Sequence, residues 1–106
     1  MFKVSIGFRH GTLNLAGQAV HQCVEFIRQH REGPFFCIAG IYAPHSPGLA
    51  PQEYMDMYDP DELTLPEYPP EIEAQRSDTI YSDAELAKAR QAYYAMVTEV
   101  DHQAGR

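Results

Sequence analysis

A chain of 106 residues, 44% of them hydrophobic, holds enough apolar material for one small folded unit and lacks the composition of a disordered one. Eight basic against fifteen acidic residues leave a formal charge of −7. That balance excludes the basic face that nucleic acid or an anionic membrane surface demands.

Taken in chain order, Phe2, Val4, Ile6 and Phe8 alternate with Lys3, Ser5 and Gly7, the pattern of a half-buried strand. Arg9 and His10 then interrupt any apolar core, so the opening residues do not read as a signal peptide. Ala16, Val20, Cys23 or Val24, and Ile27 recur every three or four residues, which predicts a helix. Gly17 weakens its first turn; Arg28 and Arg31, followed by Gly33 and Pro34, mark its end. "FFCIAGIYA", residues 35–43, contains no charge and predicts a strand buried on both faces. Helix followed by buried strand is α/β grammar with a parallel sheet.

Between Pro44 and Tyr81 no period is evident, and seven of the eight prolines lie there. Eleven of the fifteen acidic residues fall between Glu53 and Glu85, opposed only by Arg76. Such a run is ordinarily a solvated surface. A helical turn is expected around residues 52–58, with Tyr54, Met55 and Tyr58 on its apolar side. The rest of the stretch is a long connection, of the kind that often carries function. Ser82-Asp83-Ala84-Glu85 is a capping box, and Leu86, Ala89, Tyr93, Val97, Val100 and Ala104 follow at helical spacing. Together with Gly105 they predict a helix over residues 83–104. No apolar run approaches the ~20 residues of a membrane span.

Cys23 and Cys37, each set in apolar sequence, read as small buried hydrophobes rather than as a disulfide framework. His10, His21, His30 and His102 form no i, i+4 metal pair, and each reads as a surface or boundary residue. The Asp59-Pro60-Asp61-Glu62 cluster lacks the glycine and closing glutamate of a calcium loop. No metal ligand is assigned to this chain. Two strands and two helices are too little for a self-contained α/β domain. Residues 1–106 therefore read as one partial domain, either a fragment or a chain with an obligate partner, prone to associate through unpaired strand edges.

The stretch "GPFFCIAGIYAPHSPGLAPQEYMDMYDPDELTLPEY" resembles the part of type I sulfatases in which a strand delivers a Pro-His-x-Pro turn into the active site. "ARQAYYAMVTEVDHQAGR" resembles the helix that follows it there. The likeness covers roughly residues 24–106, and residues 1–20 do not match. It implies an α/β fold, here a partial alkaline-phosphatase-like sandwich of helix, buried strand, long Pro-rich acidic loop and long C-terminal helix. It also implies sulfate ester hydrolysis, with carbohydrate sulfates the commonest targets, and a family often exported. The family's nucleophile is a formylglycine made from a Cys or Ser in Cys/Ser-x-Pro-x-Arg, beside a divalent metal, usually calcium. Neither cysteine here has that context, since Cys23 precedes Val-Glu-Phe and Cys37 precedes Ile-Ala-Gly. The family's acidic metal-binding segments are missing as well.

What carries over is His45, in Pro44-His45-Ser46-Pro47. As the S–O bond of a sulfate ester breaks, its leaving oxygen gains charge, and a fixed imidazole N–H stabilises or protonates it. Flanking prolines restrict the backbone on both sides. Tyr54 and Tyr58, downstream of the turn, are weaker candidates for lining a sugar site. The alternatives are a non-catalytic remnant, or a piece of a phosphonate or phosphodiester hydrolase of the same superfamily.

Overall fold

Lys3–Ile6 (β1) and Phe36–Ala39 (β2) pair as a two-stranded parallel sheet, with Lys3 opposite Phe36 and Ile6 opposite Ala39. A parallel pair needs a crossover, and α1 (Leu15–His30) supplies it as the middle of a β-α-β unit. Gln52–Met55 (α2), Pro70–Arg76 (α3) and Asp83–Ala104 (α4) complete the order. This computed structural model describes residues 3–6, 15–45, 49–76 and 82–106, the side chains from residue 16 onward. The expected alternation of Phe2, Val4, Ile6 and Phe8 therefore lies outside the described side chains. Helical residues outnumber strand residues, and one β-α-β unit does not by itself span a sandwich.

The core lies between helices. α1 contributes Ala16, Ala19, Val20, Cys23 and Phe26, and α4 contributes Ala92, Ala95 and Met96. Small residues on the facing surfaces let helices approach closely. α4 packs on α1 along one stretch and on α2 along another. At the end of α1, Phe26 stacks on His30 with ring centroids 4.1 Å apart and meets Phe35 edge-on at 5.8 Å. His30 Nδ1–H donates to the Phe26 carbonyl at 2.8 Å. Those contacts turn the chain into β2.

α4 has the predicted bounds. Ser82 Oγ accepts the Glu85 N–H at 3.3 Å, while Glu85 Oε2 accepts from Ser82 N–H at 2.7 Å and from its hydroxyl at 2.8 Å. Those bonds, the backbone one foremost, hold the Glu85 carboxyl below its ordinary value. Ser82→Ala is expected to lower stability by about 1 kcal/mol, with Ser82→Asp restoring most of it; urea midpoints of the two variants check this. Equal losses would show that the cap contributes nothing.

Three expectations need correction. The strand predicted over 35–43 is shorter and not buried: Phe36 and Ile38 are each 46% exposed and Tyr42 44%. β1 supplies only four paired positions on one edge, and among the described residues no second strand pairs with the other. The apolar stripe predicted for α4 is not its buried face either. Tyr93 is 50% exposed, whereas Ala92, Ala95, Met96, Glu99 and Gln103 are buried. Packing of α1 and α2 selects that neighbouring stripe, polar residues included. Finally, α3 emerges where only a connection was expected. Pro69 C=O accepts from the N–H groups of Ile72 and Glu73, both at 2.9 Å. Acids in its first turn and Arg76 in its last complement the helix dipole. Arg76 pairs with Glu73 at 2.9 Å and with Asp83, and lies 4.9 Å from the centre of the Tyr68 ring, joining α3 to the start of α4.

The radius of gyration is 18.3 Å, and the longest extent is 59 Å. A compact domain of this length has a radius of about 13 Å. The chain is stretched, and its apolar strand is only partly covered.

Candidate active site

The site is built on the residues that follow β2. Tyr42, Ala43, Pro44 and His45 form a turn closed by His45 N–H donating to the Tyr42 carbonyl at 3.1 Å, with the Ala43–Pro44 peptide cis. The His45 ring lies against the Tyr42 ring, centroids 4.5 Å apart at 38°. His45 is exposed. The two strands are parallel, so the turn leaves from the C-terminal edge of the sheet, the side where open α/β sheets bind ligands. Ser46 and Pro47, the second half of the Pro-His-x-Pro motif, lie outside the described residues. Geometrically, the turn can present an imidazole N–H to a ligand at that edge, with one ring face backed by an aromatic.

The two tyrosines of the following loop are turned toward α4. Tyr54 is 2% exposed, and its hydroxyl shares a hydrogen bond of 2.7 Å with His102 Nδ1. Tyr58 and Thr98 share a hydroxyl–hydroxyl bond of 2.6 Å, and the Tyr58 ring approaches Tyr94 at 5.6 Å. Gln91 Nε2 donates to the carbonyls of Met55 (3.0 Å) and Tyr58 (2.8 Å), capping the end of α2. Tyrosines four apart meet α4 partners four apart, in opposite chain direction. That matched spacing is a sequence signal for the α2–α4 contact, which reading each segment alone overlooks. His102 thereby acquires a partner on α2, while its ring stays exposed. His21 is also exposed and His30 half-buried; His10 lies outside the described residues.

Another group stands out electrostatically. Glu99 is 2% exposed, and its Oε1 has no hydrogen-bond partner. Burial, and secondarily Glu53 nearby, push its carboxyl above the ordinary value of 4.5. A raised folded value means that the folded chain holds the proton more tightly than the unfolded one. The associated stability is complete below about pH 4.5 and is lost as pH climbs through the folded value. Glu99→Gln is therefore expected to raise stability at pH 7 by about 1 to 3 kcal/mol, with no gain at pH 4. Denaturant midpoints at the two pH values check it; a gain equal at both would remove the buried charge as its cause.

Among the described residues no three His, Cys, Asp or Glu side chains are grouped to hold a cation, and neither cysteine lies in the formylglycine motif. Nor is any described helix long and apolar enough to cross a membrane.

Comparison with known proteins supplies the remaining evidence. An arylsulfatase of Clostridium perfringens is 33% identical over 98 residues, covering 82% of this chain and 20% of that protein. An ulvan-active sulfatase of Formosa agariphila is 38% identical over 74 residues, covering 68% of this chain and 12% of that protein. A further sulfatase of the same organism is 29% identical over 104 residues, covering 84% and 20%. No family model matches the chain. No solved structure is significantly similar to it. The chain spans at most about a fifth of the length of these curated relatives. Along most of its length the chain is thus similar to one segment of three separate sulfatases, and that likeness supports a sulfatase-family segment.

Proposed function

We propose that this segment supplies the active-site histidine turn of a sulfuric ester hydrolase, with His45 as donor to the sulfate or to the departing oxygen. The observation that carries the reading is an exposed imidazole on a turn at the C-terminal edge of a parallel strand pair, in a chain whose curated relatives are sulfatases. As the ester S–O bond breaks, negative charge builds on the leaving oxygen, and an N–H held there stabilises it or hands over a proton. The nucleophile and the divalent metal belong, on this reading, to other segments of an intact enzyme. The sheet partners that would complete an alkaline-phosphatase-like sandwich belong there too. A sulfated carbohydrate is the substrate class favoured by the family resemblance.

The test is a rate comparison in an intact enzyme containing this segment, between an aryl sulfate, an aryl phosphate and a phosphodiester. Sulfate hydrolysis is expected to dominate kcat/KM. A faster aryl phosphate or phosphodiester reaction would replace the sulfatase reading with that of another hydrolase of the superfamily.

One observation favours a second reading, a chain that is non-catalytic by itself. Phe36, Ile38 and Tyr42 expose apolar surface beside a strand whose second edge has no partner among the described residues. The isolated 106-residue chain would then hydrolyse no aryl sulfate and would self-associate as concentration rises. A monomer by light scattering that turns over the ester contradicts this.

A further inference from the structure

The two cysteines face each other across the helix–strand contact. Cys23 lies on α1, 8% exposed, and Cys37 lies half-buried on β2. Their sulfurs are 3.9 Å apart, at a sequence separation of 14, with the Cys37 S–H donating to Cys23. The chain has no third cysteine, so neither sulfur has another partner within it. The elements carrying them are in direct contact. Closing to a disulfide needs the sulfurs to approach to about 2.05 Å, a change on the scale of side-chain rotation.

We propose that Cys23 and Cys37 form an oxidative modification site, converted by a low-molecular-weight disulfide such as oxidised glutathione into an internal disulfide that fastens α1 to β2. Cys37, the more exposed sulfur, loses its proton and attacks the small disulfide. One glutathione thiolate leaves, and the other half remains on Cys37 as a mixed disulfide. Cys23 then gives up its proton and attacks the Cys37 sulfur, expelling the second glutathione thiolate. The two protons end on the two glutathiones, and two electrons pass from the protein to the small disulfide. Burial, and after it the Cys37 contact, push the Cys23 thiol upward. That agrees with Cys23 acting second, as the resolving sulfur. The bond would anchor the strand that leads into the His45 turn. The inference is independent of the sulfate chemistry proposed above.

The experiment treats the 106-residue chain with oxidised glutathione, quenches with acid, and follows thiol labelling and intact mass. Loss of both thiols, a mass lower by two hydrogens, no retained glutathione and no covalent dimer are expected. Cys23→Ser should instead accumulate glutathione on Cys37. The ring-closing step should run at least about tenfold faster in native buffer than in denaturant, since the fold holds the sulfurs together. A lasting mixed disulfide in the wild-type chain overturns the proposal. So does a disulfide-linked dimer, or closure equally fast in denaturant.

Discussion

His45→Ala, made in an intact enzyme that contains this segment, is expected to lower kcat/KM for an aryl sulfate by at least about 10²-fold, the scale of a lost general acid or oxyanion donor. The expectation rests on how the ring is held. The turn is closed by the His45 N–H on the Tyr42 carbonyl, and the Tyr42 ring backs the imidazole, so the side chain is positioned before any ligand arrives. A donor that acts on the leaving oxygen has a further signature. Its loss matters most for poor leaving groups, whose oxygen carries most charge at the transition state, and least for activated phenols. Rates measured across phenyl sulfates of graded phenol acidity should therefore diverge between wild type and His45→Ala as the phenol becomes less acidic. A parallel offset would assign His45 to sulfate binding instead. Rates within threefold of wild type throughout would remove it from the chemistry.

How much was legible depended on whether a signal was local. The ends of α4 were readable because Ser82 and Glu85 satisfy one another within a single turn and Gly105 follows the last helical residue. The end of α1 was readable from Arg28, Gly33 and Pro34, and it stops at His30. The extent and burial of β2 were not, because a strand exists only where a neighbour pairs with it. The apolar run from Phe35 to Ala43 records what a sheet would require, and β1 provides only four residues of it. Which stripe of α4 is buried was equally non-local. Two stripes one residue apart were available, and the packing of Ala16, Ala19 and Tyr54 selects the one carrying Glu99 and Gln103. α3 has no buried residue, so no apolar period could announce it. The turn that carries His45 after β2 was legible from Pro44-His45 in the sequence. The contact of the His45 ring with Tyr42 and the anchoring of the next loop on α4 required the fold.

Tyr54→Ala should be the most damaging single change to stability, costing about 3 to 5 kcal/mol. The ring is 2% exposed beneath α4, and among the described residues few large side chains are buried. Its removal opens a cavity and deletes the 2.7 Å bond to His102, leaving the Gln91 and Tyr58–Thr98 bonds to hold α2 and the residues after it on α4. Since whole domains are stable by only about 5 to 15 kcal/mol, the melting temperature should fall by more than about 10 °C. Tyr54→Phe keeps the ring and loses only the hydroxyl bond, so about 1 kcal/mol is expected. If the two variants melt together, the ring contributes no packing and the α2–α4 contact is misplaced. The phenylalanine variant also separates the two roles open to this residue. In an intact enzyme, a sugar contact through the hydroxyl would raise KM for a carbohydrate sulfate. A residue that serves α4 alone would leave KM unchanged while the melting temperature drops.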